Sequence, residues 1–333
     1  MLYNDNVYGR IEIKEKALID LINSKAVQRL KGVYQGPSFL LISNPIFGKY
    51  KNTRFEHSVG VLILLKKLEA TLNEQIAGLL HDISHTVFSH ATDFLFNRHI
   101  QHDYHEKFHD KIILKSDIPM ILNKHHIDVT EILDEKKFTL LEKELPDLCA
   151  DRIDYFLRDM IVYDSVIKNN INTILNSLMK FENEIIFNNL NTARLFAEKY
   201  IEANKLLWCN PYQVVLFKLI SDILKLGLSK GIITREDLFT TDNEVLIKLK
   251  NSNDNEINEK LNTIFDLKII ENKKNYDYHL KSKVRCIDPK ILIDKKIASL
   301  SGIDEHYKKL MNDFVPETSK GFFIKIINSE TIG

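Results

Sequence analysis

The chain has 333 residues, 44% hydrophobic and 28% charged, enough to bury one large core or two smaller ones. Its formal net charge is +0, which removes any global electrostatic pull toward nucleic acid or an acidic membrane surface. The apolar run VGVLILL at 59–65 is too short to span a bilayer, and Cys149, Cys209 and Cys286, odd in number and without a CxxC pair, argue for reduced, buried thiols over a disulfide framework or a thiolate zinc site.

The N-terminal MLYNDNVYGRIEIKEK carries charges where a secretory signal needs an apolar stretch, so a cytoplasmic location is expected. Residues 17–31 read as a helix. Residues 36–53, with Gly36, Pro37, Pro45 and Gly48, read as an irregular, hairpin-like excursion. Helical periodicity then predicts helices near 56–70, 73–82, 88–96, 103–114, 117–125, 128–133 and 147–161. Residues 190–230 read as one or two long helices, and 250–275 contains a solvent-facing helix. The stretches 276–289 and 321–328 alternate in the manner of short strands. The expected fold is mainly α, a helical bundle with a smaller mixed α+β C-terminal part. The expected division is 1–170 as a metal-binding helical core and 171–333 as a helical and small α+β region packed on it.

Histidine carries the chemical signal. Ten of the 12 histidines fall between His57 and His126, and such clustering fits a metal or a proton relay. His81 and Asp82 end the apolar helical run EQIAGLLHD. His57 opens a helix 24 residues earlier, and Asp151 lies on a much later one. Two His and two Asp make a mixed N/O shell suited to Mn, Fe, Zn, Ni or Mg. A His-Asp pair alone is a weak signal, and its commonest role is a satisfied helix end. At about 100° per residue, Asp151, Tyr155, Arg158 and Asp159 share one face of their helix. Cys149, Ile153, Phe156, Leu157 and Met160 share the opposite, core-facing one.

The segments NTRFEHSVGV (52–61), QIAGLLHDISHTVFSH (75–90) and ADRIDYFLRD (150–159) resemble the HD-domain phosphohydrolase superfamily, specifically its deoxynucleoside-triphosphate triphosphohydrolase branch, which has the pattern H…HD…D. QRLKGVYQ (28–35), the pair His105-Glu106 and KVRCIDP (283–289) extend the resemblance along the chain. It implies an HD-domain helical bundle, His57, His81, Asp82 and Asp151 as ligands of a divalent metal ion, a nucleotide substrate and a homo-oligomer. It implies further that His90 faces the scissile phosphate. Asp93 is placed to orient His90, His85 lies one turn beyond His81, and His105 and Glu106 form a second candidate acid–base pair. His99, His102, His109, His125 and His126 are expected to be structural or exposed. Arg54 matches a phosphate-contacting arginine and Arg152 a basic position beside the metal aspartate. Tyr155 matches a tyrosine packed on the sugar, and Gln35 and Asp159 match groups near the 3′-hydroxyl. The sequence departs from the branch at KLLWCNPYQVV (205–215), where Lys205 is the one basic residue in a region expected to carry cations for the outer phosphates. Three readings stay open: a dNTP triphosphohydrolase; an HD-type phosphatase or phosphodiesterase acting on a mono-, cyclic or non-standard nucleotide; and a non-catalytic nucleotide sensor or nucleic-acid-binding protein.

Overall fold

The computed structural model describes residues 1–41, 44, 47–49, 51–101 and 103–327. His102 and Pro45 lie outside the described residues. Helix dominates, with 16 α-helices among the described residues and three small sheets. None of the described helices is long and apolar enough to cross a membrane. All three cysteines are buried thiols.

The helix Arg54–Lys67 is the centre of the molecule. Thr53 and Glu56 close a capping box at its N-terminus, satisfying backbone N–H groups that have no partner inside the helix. Every residue from Val59 to Leu65 is buried, so it is apolar all round where most helices are amphipathic. Burying each such leucine contributes roughly 1.5–3 kcal/mol. It packs against the helices Leu72–Leu80 and Ala150–Tyr163.

Gly60 sets the closeness of the second contact. A Cβ there would stand 2.0 Å from both Arg158 Nη2 and Asp154 Oδ1. Those two atoms are bonded to each other at 2.9 Å inside the core and have little freedom to move. Gly60→Ala is therefore expected to lose about 1–3 kcal/mol by overpacking, despite alanine's better helix propensity. Chemical denaturation measures this, and an unchanged or raised stability would show that the helices can separate freely.

Several elements differ from expectation for local reasons. The 17–31 helix is two, Lys16–Ile22 and Lys25–Arg29, because Ser24 Oγ accepts from the Val27 N–H and starts a second helix. The 190–230 stretch is Leu190–Ala203, a π-helical turn Asn204–Trp208, and Pro211–Ser229, restarted by the Asn210 cap and Pro211. The N-terminal hairpin Leu2–Asp5 with Gly9–Glu12 and the strands Leu178–Phe181, Glu184–Phe187, Lys290–Ile293 and Lys296–Ser299 were not anticipated. Each is only four residues long, too short for a clear period. The pair Glu184–Phe187 and Lys290–Ile293 is parallel, and the other neighbours in that sheet are antiparallel. The β-prone stretches near 276 and 321 do pair, as Tyr278–Leu280 on Phe322–Ile326, with Ile269–Glu271 on the other edge. One continuous hydrophobic core includes buried side chains from both sides of residue 170.

Candidate metal centre and substrate cavity

The helix Leu72–Leu80 stops where the chemistry starts. His81 is its C-cap, and its Nδ1 donates to the Gly78 carbonyl at 2.8 Å. The turn that follows is pinned from behind by Arg29, whose guanidinium donates to the carbonyls of Ile83 (2.7 Å) and His85 (3.0 Å). Phe88 and Ser89 both hold positive φ, near 54° and 50°, which non-glycine residues adopt only where the surroundings demand it. Asp242, from a C-terminal helix, accepts from the Phe88 and Tyr34 N–H groups and is pushed up to about 7 by burial. Ser89 Oγ donates to the Tyr34 carbonyl and accepts from Arg54 Nε and Nη2. Arg54 Nη1 donates in turn to Asp82 Oδ2 at 2.8 Å.

His57, His81 and Asp151 bring one donor atom each to a common point, all within 4.8 Å of one another. His57 Nε2 lies 2.9 Å from Asp151 Oδ1 and 3.2 Å from His81 Nε2. Asp82 stands behind them, Oδ2 at 3.8 Å from His57 Nε2 and Oδ1 at 3.7 Å from His81 Nε2. The partners of the other ring nitrogens decide the tautomers. His57 Nδ1 donates to Asp154 Oδ2 at 2.8 Å, as His81 Nδ1 does to Gly78. Both Nε2 atoms are therefore left facing one place beside Asp151, where a proton or a cation must sit between them to prevent repulsion. The carboxylates also draw positive charge there. Burial opposes an imidazolium, yet Asp82 and Asp151 push His81 up to about 10. This donor set fits a divalent ion with mixed N/O coordination.

Asp154 was missed from the sequence, although its i,i+3 spacing from Asp151 on the helix Ala150–Tyr163 was a usable signal. It is wholly buried and holds both His57 Nδ1 and the Arg158 guanidinium. Arg158, expected on the polar face with Asp151, is turned inward. It bridges Asp154 to Asp5 of the N-terminal hairpin, so a core ion pair replaces solvent exposure. Asp154→Asn is expected to weaken divalent-ion affinity about 10–100-fold through His57's orientation. Metal titration monitored by calorimetry reads this, and unchanged affinity would show that the Nδ1 bond is dispensable.

A cavity of about 920 Å³ opens in front of this cluster, within the range of small-molecule sites. Gln35, Arg54, His57, His81, Asp82, His85, His90, His105, Glu106, Asp151, Arg152, Tyr155 and Asp159 all line it. Asp93 does not. It sits behind His90, with Oδ2 2.7 Å from His90 Nδ1 and Oδ1 accepting from the Tyr104 N–H. Burial raises Asp93 to about 6, so it is ionised at neutral pH and accepts a hydrogen bond from Nδ1–H, leaving the lone pair on Nε2. Burial and then Arg54 and Arg285 hold His90 well below the usual histidine value. His105 stacks on His85 at 3.9 Å and is lowered by burial to about 4. Burial, then Arg54, also holds His85 well below the usual histidine value, so all three imidazoles are neutral at pH 7. Asp82 also falls within ligand reach of His85 and His105.

The remaining candidates are more engaged than their sequence roles suggest. Arg152 is committed to Glu142 Oε1 and to the carbonyls of Lys143 and Asp147. Asp159 accepts from Trp208 Nε1 at 2.8 Å and Asn52 Nδ2 at 3.1 Å. The Tyr155 hydroxyl bonds that of Tyr200. Gln35 is brought beside Arg54 because Gln35 N donates to Asn52 O and Arg54 N to Val33 O, closing the excursion between them. His99 stacks on Phe94, His109 Nε2 meets the Leu80 carbonyl, and His125 pairs with Asp20.

The HD domain model matches residues 54–159, the span that carries all four expected ligands. The chain is 32% identical over 238 residues to the metal-dependent phosphohydrolase cns2 of Cordyceps militaris, covering 68% of this chain and 67% of that protein. It belongs to the HD-domain phosphohydrolase superfamily. As an HD phosphohydrolase it is a metal-dependent hydrolase, in keeping with the His/Asp cluster. It is also 40% identical over 329 residues to the uncharacterized protein YdhJ of Bacillus subtilis, covering 98% of this chain and 99% of that one. A stretch of 111 residues is 35% identical to the deoxynucleoside triphosphate triphosphohydrolase SAMHD1 of Danio rerio, 28% of this chain and 17% of that protein.

Proposed function

We propose that this HD phosphohydrolase cleaves deoxynucleoside triphosphates to deoxynucleoside and triphosphate, with His57, His81, Asp82 and Asp151 holding the metal. What carries the reading is one nucleotide-sized cavity lined by the His/Asp cluster, by His90, which Asp93 backs from behind, and by Tyr155 and Asp159. The partial likeness to SAMHD1 supports the substrate class. When bound, the divalent ion supplies Lewis-acid polarisation of a phosphate oxygen and eases deprotonation of water.

In the reaction a water oxygen bonds to the α-phosphorus and sheds a proton to solvent, the bond from that phosphorus to O5′ breaks, and O5′ takes a proton. His90 is the donor in this reading. In the free protein Arg54 and Arg285 oppose a further positive charge on it. An arriving phosphate tail neutralises those guanidiniums, so the imidazole gains a proton where it is needed, and Asp93 holds the imidazolium. Arg54 orients a phosphate oxygen while anchoring Asp82. Tyr155, held by Tyr200 and lining the cavity, is the residue that in this reading packs on the sugar and discriminates against a 2′-hydroxyl.

One observation favours a phosphatase or phosphodiesterase acting on a smaller or cyclic nucleotide. Lys205 lies over Phe314 at 5.5 Å and does not line the cavity, to which the 205–215 region contributes Leu207, Trp208 and Gln213. Incubation with each dNTP, nucleoside monophosphate and cyclic nucleotide, in the presence of Mn, separates the readings by product. Triphosphate release supports the first. Orthophosphate or a linear nucleotide with no triphosphate replaces it by the second. A protein that binds nucleotide but turns over none, with or without His81, is a sensor. The resemblance also implies a homo-oligomer, which light scattering reads directly.

A further inference from the structure

The cavity receives two cations from a part of the chain that carries neither the metal ligands nor the proposed proton donor. Lys283 and Arg285 sit between the strands Tyr278–Leu280 and Lys290–Ile293, and both line the cavity along with Arg54 and His90. Their backbone is held in place. Asn204 Nδ2 donates to the Arg285 carbonyl at 2.7 Å, Cys209 Sγ to the Lys283 carbonyl at 3.4 Å, and the Asp288 N–H to the Pro146 carbonyl at 2.9 Å. Asn204 is fully buried and opens the π-helical turn Asn204–Trp208. The turn that carries Trp208 into the cavity therefore also fixes the height of Arg285 above it. The Arg285 guanidinium carbon lies 6.0 Å from the Trp208 ring centre. Val284 and Cys286 pack inward, which leaves the two cations facing the cavity.

Lys283 is exposed at the mouth, and its ammonium reaches the Gln101 carbonyl at 3.5 Å. Crowding by protein at the mouth, then Arg285, holds it below the usual lysine value. Arg285, Lys283 and Arg54 all bear on His90. Lys283 and Arg285 repel each other across this corner of the cavity, and an anion bound between them relieves that repulsion, although carboxylates such as Glu142 and Asp151 also act on Lys283.

We infer that Lys283 and Arg285 form a clamp for a polyphosphate anion, supplying from the segment before Lys290–Ile293 the cations that the 205–215 region does not bring to the cavity. The inference rests on the nucleotide-hydrolase reading for its biological ligand, but the anion site stands on its own contacts. Two cations beyond Arg54 suit a chain of phosphates better than a single one.

Trp208 is the chain's only tryptophan, so its fluorescence reports on this corner of the cavity without turnover. The full-length protein, held in EDTA, is titrated with inorganic tripolyphosphate and, separately, with orthophosphate. Saturable quenching by tripolyphosphate is expected, with orthophosphate at least about tenfold weaker. Lys283→Gln and Arg285→Gln are each expected to weaken tripolyphosphate binding about tenfold. Arg285→Lys should stay close to wild type, as should Lys281→Gln on the exposed neighbour. Wild-type tripolyphosphate affinity in both glutamine variants, with unchanged circular dichroism, overturns the clamp, as does wild-type protein that binds no tripolyphosphate. Neither result decides which bond is cut. If wild type releases triphosphate from dNTPs while both glutamine variants keep the same KM, the clamp fails and the reaction stands. If no dNTP is cleaved yet binding depends on both residues, the reaction fails and the anion site stands.

Discussion

His81→Ala is expected to remove the bound divalent ion and lower kcat by at least about 10³-fold, while leaving the fold nearly intact. The separation of effects follows from what each ligand touches. The His81 Nδ1 bond is to the Gly78 carbonyl within its own turn, and the ring is partly open to the cavity. Its loss costs stability of the order of one hydrogen bond, about 1 kcal/mol. A lost Lewis acid is worth several kcal/mol of barrier, and each 1.36 kcal/mol is about tenfold in rate. His57→Ala contrasts usefully. His57 is fully buried and holds Asp154, so its removal strips one partner from a carboxylate inside the core. That variant is expected to lose metal and also about 1–3 kcal/mol of stability. Elemental analysis of the purified proteins, with thermal melts alongside, checks both. Full metal content in His81→Ala would remove His81 from the ligand set. Chelation of wild type should reproduce the loss of rate, and re-addition of Mn, Fe, Zn, Ni or Mg one at a time ranks the ions.

Asp93→Asn is expected to lower kcat about 10²–10⁴-fold with metal content unchanged. The argument is tautomeric. Asp93 accepts from both His90 Nδ1 and the Tyr104 N–H, so it has two acceptor oxygens in use. An asparagine has one carbonyl oxygen to offer. If that oxygen keeps the Tyr104 N–H, its amide donates to Nδ1, the His90 proton moves to Nε2, and imidazolium loses its backing charge. The pH profile separates this from simple loosening. Burial lifts Asp93 to about 6. As pH falls through that value the carboxylate is neutralised, so wild-type kcat/KM should drop on the acidic side near 6. The same limb should vanish in Asp93→Asn. An acid limb unaltered in the variant would assign the titration to another group and leave Asp93 a packing residue.

The chain carries its own family signature because the ligands stand on regular, strongly patterned helices. EQIAGLLHD is apolar up to the residue where it must turn, and HD follows where the helix stops. The stripe of Ile153, Phe156, Leu157 and Met160 marks the buried side of the Asp151 helix. Such features depend on near neighbours, so composition and period reveal them. Together with the resemblance to HD phosphohydrolases, they pointed to the fold class and to a metal-binding protein. Four-residue strands were not legible, because so short a run has no period to read.

The rest was decided by partners far apart in sequence. Arg158 reads as a surface residue from its helix, yet it turns inward because Asp5, 153 positions away, meets it there. Asp154 becomes an orienting carboxylate only when Gly60 allows two helices to close on it. The tautomers of His57, His81 and His90 are set by Asp154, the Gly78 carbonyl and Asp93, and two of those three partners lie within three residues while one lies 97 away. Lys283 and Arg285 join Arg54 in one cavity through backbone bonds made by Asn204 and Cys209. The sequence by itself determined which side chains could bind a metal and move a proton, since that is a property of residue type and local period. The tertiary structure alone decided their protonation, their orientation and the charge around them, because electrostatic energy depends on distance through space and on burial, and neither is written along the chain.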